Sequence, residues 1–223
     1  MRKVVSKLAL ATGISLAMAF TFSCSPPDDE GGGGGGNGGS STCSADFRTV
    51  TIGTQTWMAE NLNCNVGGSK CYDNDPANCA IYGRLYDWST AMSLPSSCNS
   101  SSCSSQIQSK HRGICPSGWH IPSDNDWDVL MNYAGGSSDA GTKLKATSGW
   151  NSGGNGTDEF GFSALPGGRG SFSSVGSYGY WWSSTESGAY HAYYRYMGIN
   201  DNRVSRLYDR KSTNLYSVRC LQD

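Results

Sequence analysis

Nine cysteines, at positions 24, 43, 64, 71, 79, 98, 103, 115 and 220, constrain this chain more than anything else in it. What they can do depends on the compartment, and the first residues bear on that. "MRKVVSKLALATGISLAMAFTFSCS" opens on Arg2, Lys3 and Lys7 and continues into an apolar run, Leu8 to Phe22, broken by small polar residues. The pattern reads as a secretory signal peptide, too short and too interrupted for a spanning helix. Two processing sites compete. "AMA", Ala17 to Ala19, suits ordinary signal peptidase, whereas "TFSC" sets Ser23 before Cys24 as lipoprotein processing requires, with Thr21 where leucine is usual. Lipidation of Cys24 leaves eight cysteines, the even number that a disulfide framework needs; cleavage after Ala19 leaves an odd thiol in an oxidising compartment. Parity favours residues 1–23 as the signal peptide and Cys24 as a lipid anchor.

Residues 24–42 follow as a lipidated, glycine-rich tether, "PPDDEGGGGGGNGGSST", with no side chains able to build a core. Its typical reach is about 20–25 Å. The folded part is expected over residues 43–223, one domain of a 223-residue chain. A net charge of −1 and only 16% charged residues give no basic face for nucleic acid. Thirty glycines and 11% aromatics predict many turns around large apolar side chains and few long helices.

Local signals fill in the elements. "RTVTIGTQTWMAENL" reads as two strands turning at Gly53, and "IYGRLYDWSTAM" as an extended piece ending at Asp87, which caps a short helix through Met92. In "CPSGWHIPSDNDWDVL", Ser123 caps a helix with Asp126 three residues on, Trp127, Leu130, Met131 and Ala134 recur at helical spacing, and Gly135-Gly136 stops it. A second helix is expected around Ala140 to Ala146, and strands at "YWWSST", "AYYRYM", "RLYD" and "LYSVRC". Joining Cys115 to Cys220 would clamp the Ser123 helix to the last strand, worth about 4–5 kcal/mol in the chain-entropy picture.

"TIGTQTWMAENL", "YGRLYDWSTAM", "ICPSGWHIPSDNDW", "DEFGFSALPGG", "YWWSSTE" and "YSVRCLQD", in that order across residues 46–223, resemble the FISUMP family, the Fibrobacter succinogenes major paralogous domain. The resemblance implies an exported, often lipid-anchored surface protein with no established activity. It implies an α+β, C-type-lectin-like fold: two short helices, small antiparallel sheets, long loops rich in glycine and aromatics, and a tie like Cys115 to Cys220. Ser25 after the lipidated cysteine, and the acids of "SPPDDE", are similar to those of outer-membrane lipoproteins exposed at the cell surface.

Chemistry-bearing patterns are sparse. His111, His120 and His191 share no helix face or metal-ligand spacing, no C-x-x-C occurs, and the G-x-S-x-G, H-E-x-x-H and Walker patterns are missing from the sequence. The E-P-N, Q-P-D and W-N-D triplets of calcium-dependent lectins are missing too. No metal, cofactor or catalytic residue is therefore expected; paired carboxylates remain, for example Asp158 with Glu159, where adjacent acids in "GNGTDEFG" read as a turn. For the cysteines, Cys71–Cys79 and Cys98–Cys103 are the natural local pairs, leaving Cys43–Cys64; eight cysteines permit 105 pairings, so the map stays open.

Residues 178–216 carry the composition of a paratope, Tyr, Asn, Asp, Arg, Ser and His. Trp181, Trp182 and Tyr196 read as core strand residues. Tyr190, His191, Tyr193, Asn200, Asp201, Asn202, Arg203, Arg206 and Tyr208 read as an exposed binding face. The expectation is a lipid-anchored surface domain that binds an extracellular glycan or protein without catalysis, serving in adhesion. Its rivals are a structural envelope protein without a ligand and an enzyme acting on wall polymers.

Overall fold

The computed structural model describes Cys43, residues 46–136 and residues 138–223. The expected signal peptide, the expected anchor Cys24 and the expected tether lie outside those residues. The run around Gly53 forms strands β1 (Thr49–Ile52) and β2 (Gln55–Met58), antiparallel with Val50 opposite Trp57. Gly53 turns at φ 61°, and a Cβ there would meet the Tyr133 ring at 2.8 Å, so the position favours glycine. Strand β9 (Leu221–Gln222) lies between β2 and β3 (Trp119–His120), completing a sheet of order β1-β2-β9-β3 that joins the beginning and end of the domain.

Three of the four short α-helices are started by side-chain caps. Asp75 accepts from the Ala77 amide and starts α1 (Pro76–Tyr82), whose last two residues, Ile81 and Tyr82, begin the stretch expected to be extended. Asp87 starts α2 (Trp88–Ala91) by accepting from the Thr90 amide at 3.0 Å. Ser123 and Asp126 close a reciprocal capping box on α3 (Asp124–Tyr133), whose buried stripe is Trp127, Leu130 and Met131; Gly135 and Gly136 turn left-handed just beyond it. The fourth helix, α4, spans Ala140–Leu144.

The second sheet has the order β5-β4-β6-β7-β8, made of β4 (Gly167–Arg169), β5 (Ser173–Val175), β6 (Tyr178–Glu186), β7 (His191–Gly198) and β8 (Ser205–Arg210). Strands β4 and β6 are parallel; the other neighbours are antiparallel. "LYSVRC" does not form the expected strand. Tyr216 bridges to Tyr86 and Ser217 to Trp181, while the carbonyls of Val218 and Cys220 accept from the Leu62 and Met58 amides. Residues 216–220 are all buried, so the chain threads between several elements and gives each one or two bonds instead of one partner a ladder.

Four disulfides pair Cys43–Cys64, Cys71–Cys79, Cys98–Cys103 and Cys115–Cys220, with Cα separations of 5.1, 4.9, 5.6 and 6.0 Å. One core cluster gathers Tyr86, Trp88, Met92, Trp182 and Tyr216 with the buried cystines of the Cys98 and Cys115 bridges. A second, without cysteine, sets Trp57 against Trp127 at 5.0 Å and Trp127 near Trp181 at 6.4 Å, both pairs tilted, around Phe162, Leu130 and Met197. Lys211, fully buried, binds the first cluster to the Cys98–Cys103 loop. Its ammonium donates to Glu186 Oε1 at 2.6 Å and to the carbonyls of Cys98 and Ala189 at 3.1 Å, and lies over the Trp88 ring at 4.5 Å.

Candidate functional site

Register sorts the five-stranded sheet into two faces, because residues paired across neighbouring strands point the same way. Trp181, Arg195 and Arg206 share one face with Met197, Tyr193, Tyr208, His191 and Arg210. This face packs on α3. Arg195 is 1% exposed; its Nη2 donates to Asp124 Oδ1 at 2.6 Å, to the Asp124 carbonyl at 3.0 Å and to Asp128 Oδ1 at 2.9 Å. Arg206 Nε donates to the other oxygen of Asp124, and its guanidinium stands 3.7 Å from the centre of the Tyr193 ring. Tyr208 meets His191 and Tyr193 edge-on at 5.6 and 6.3 Å. Hydrogen bonds from Ser187 and Arg206, and the charge of Arg206, lower the Tyr193 phenol below its ordinary range.

The nine residues expected to form one binding face fall into two groups. Tyr190, 57% exposed in the turn before β7, adjoins His191, Tyr193, Arg206 and Tyr208 at one end of the sheet. Asn200, Asp201, Asn202 and Arg203 sit in the turn after β7, seven residues and roughly 23 Å farther along. That turn has a structural task. The Asn202 carbonyl accepts from the Thr142 amide, and Lys145 Nζ donates to the carbonyls of Gly198 and Asp201 at 3.1 Å, holding the turn on α4. Arg203 bonds Asp201 and holds its carboxyl below the usual carboxylate range.

The opposite face is built of tyrosine. Tyr178, Tyr180 and Trp182 of β6 lie beside Tyr194 and Tyr196 of β7, with Leu207 and Asp209 of β8 beyond. Tyr180 stacks on Tyr178 at 5.9 Å and on Tyr216 at 5.1 Å, and Tyr196 lies 6.1 Å from Tyr180 and 6.2 Å from Tyr194. Burial grades across the face: Trp182, Tyr194 and Tyr216 form a buried floor, Tyr180 and Tyr196 are half-buried, and Tyr178 is 38% exposed. Burial pushes the Tyr194 phenol up to about 12 and also raises Tyr180 and Tyr216. These phenols stay neutral hydroxyls; Tyr216 donates its proton to Asp209 Oδ2 at 2.7 Å. The reading of Trp181 and Trp182 as core holds. Tyr196 differs, being half-buried at the margin of the first core cluster.

The Fibrobacter succinogenes major domain matches this chain over residues 50–222, from β1 to β9. The chain belongs to that family. Among curated proteins and among solved structures, nothing matches. The Fibrobacter succinogenes major domain thus takes in both sheets and three of the disulfides, while the Cys43–Cys64 bridge ties the preceding residues to it.

Elsewhere in this Fibrobacter succinogenes major domain His120, His111, Asp158 and Glu159 have structural partners. His120, 3% exposed, lies on a cleft of about 510 Å³ with Gln55, Lys110 and Asn125; its Nδ1 bonds Asp223 Oδ1 at 2.8 Å and its Nε2 stands 3.7 Å from Asp126 Oδ2. His111 Nε2 lies 2.7 Å from the Met92 carbonyl oxygen. Asp158 accepts from the amide and hydroxyl of Ser163, whereas Glu159 pairs with Lys143, so these adjacent acids have separate partners. Among the described residues no group of three or more His, Cys, Asp and Glu could hold a metal ion, and no helix is long and apolar enough to cross a membrane.

Proposed function

We propose that the chain is a cell-surface lipoprotein whose C-type-lectin-like domain binds an extracellular polysaccharide by its tyrosine face, without turnover, serving in adhesion. The single observation that carries this reading is the graded ladder of Tyr178, Tyr180 and Tyr196 over a buried aromatic floor. Sugar rings offer apolar C–H faces that stack on such rings and hydroxyls that bond to neutral phenols. Because the rings are fixed on two adjacent strands, little conformational entropy is lost on binding. The lectin-like reading is supported by the short helices, the small sheets and the Cys115–Cys220 tie. The lipid anchor rests on Cys24 and cysteine parity.

Replacing Tyr178, Tyr180 and Tyr196 together by alanine should abolish sedimentation of the protein with insoluble polysaccharides while its circular dichroism spectrum stays unchanged. Undiminished binding by this variant overturns the reading. Palmitate labelling that vanishes in Cys24→Ser, and shaving of the domain from intact cells by protease, test the anchor and its exposure. A second reading, a protein ligand, is favoured by the cluster of Tyr190, Tyr193 and Tyr208, with the last 59% exposed, since amphipathic rings beside arginine make interface hot spots. Alanine at those three positions then removes partner capture and leaves polysaccharide binding intact.

A further inference from the structure

We propose that the ligand of the tyrosine face is an acidic polysaccharide, whose uronate carboxylates pair with Arg169; this rests on the polysaccharide reading above. The parallel register of β4 on β6 sets Gly168 beside Gly179, which puts Arg169 on the same face as Tyr178 and Tyr180. Its Nε donates to Ser173 Oγ at 3.0 Å, and Ser173 Oγ lies 3.0 Å from Ser171 Oγ, so the base of the guanidinium is held in place. A guanidinium has five N–H donors, and the other four of Arg169 have no protein acceptor within bonding distance among the described residues.

Arg169 is the arginine of the five-stranded sheet that stands on the tyrosine face, whereas Arg195, Arg206 and Arg210 of its strands point to the other face. Arg195, Arg203 and Arg206 are each matched by aspartate, and Arg219 is buried against Asn61 and the Phe162 carbonyl. The carboxylates on the tyrosine side are also spoken for. Asp209 accepts the Tyr216 hydroxyl and lies three strands from β4, about 14 Å away, and Glu186 is neutralised by Lys211. The positive charge of Arg169 also acts on the phenols of Tyr180 and Tyr216, which places it beside the stacked rings. A half-buried, pre-positioned planar fork next to an aromatic ledge matches a sugar ring that bears a carboxylate: the ring stacks while the carboxylate takes two parallel N–H bonds.

The test uses the processed protein in detergent and four probes: polygalacturonate, the same polymer fully methyl-esterified, dextran sulfate and a neutral β-glucan. Polygalacturonate should bind at least tenfold more tightly than its methyl ester, which keeps the rings and removes the charge. Arg169→Gln should lose that factor and become indifferent to esterification, and Arg169→Lys should recover only part of it. Equal binding of both galacturonans by the unaltered protein overturns the inference, as does a Gln variant that melts normally and still prefers the acid form. If the Gln variant fails to fold, the esterification comparison decides alone. Dextran sulfate competing as well as polygalacturonate overturns the uronate assignment in favour of sulfate. Binding of the neutral glucan with rejection of both galacturonans overturns this inference and leaves the polysaccharide reading standing; binding of no polysaccharide overturns both.

Discussion

The two faces of the five-stranded sheet come from the same strands and have opposite characters. On the α3 side, charge closes the surface: Arg195 is sunk beneath Asp124 and Asp128, and Arg206 seals the margin against Asp124. On the tyrosine side, rings pile on one another, and the outermost remain half open. Alternation along β6 and β7 therefore separates a face devoted to holding a helix from a face with contact area to spare.

Breaking the closed face should cost most. Arg195→Ala opens a void beneath α3 and leaves Asp124 with Arg206 as its remaining cation, while half-exposed Asp128 turns to water, with an expected loss of about 3–4 kcal/mol in denaturant unfolding. Removing the Cys115–Cys220 bridge, which spans 105 positions, is expected to cost about 2–5 kcal/mol. Because Cys220 follows closely on Tyr216, this change should loosen both faces, seen as earlier amide exchange in α3 and in β6 alike.

Smaller effects sharpen the contrast through pH. Burial alone would disfavour the His120 imidazolium, but hydrogen bonds and charge from Asp126 and Asp223 outweigh it and raise its pKa above the usual value. A raised histidine contributes stability fully below its unfolded value, about 6.5, and loses it as pH climbs through the folded value. For Asp126 burial is likewise outweighed, by bonds from His120 and Ser123, and its lowered pKa contributes above the usual carboxylate range and is lost in acid. The α3 side should be most stable in weakly acidic solution, and His120→Gln should flatten the decline on the alkaline side in melts run across pH. Least of all, Tyr178→Ala on the open face should shift stability by no more than about 0.5 kcal/mol while weakening polysaccharide binding.

The caps were legible in sequence because each is a local event: Ser123 with Asp126, Asp87 before Trp88, and Gly53 at a turn all follow from a few neighbours. Helix α1 carried its signals too, in Asp75, Pro76 and Gly83, but it buries only Cys79 and so lacks an apolar period. "LYSVRC" misled because both of its sides are buried by different neighbours, a long-range matter that no window can show. The tyrosine face was hidden for a similar reason. In "YGYWW" and "YYRYM" rings stand on both parities, Trp181 and Tyr193 on one and Tyr178, Tyr180, Trp182, Tyr194 and Tyr196 on the other, so the presence of rings alone does not tell which one a helix will cover. The one clue was Arg195, a lone cation amid rings, which marks the parity that meets the acids of α3.

Lys211 has a wider consequence. Many extracellular loops are shaped by a captured ion and slacken when it is scarce. Here the positive centre among the oxygens of Cys98, Ala189 and Glu186 is a side-chain ammonium covalently attached to the chain it organises. It cannot be diluted, exchanged or stripped by a chelator, so the loop keeps its form whatever the mineral content of the surroundings.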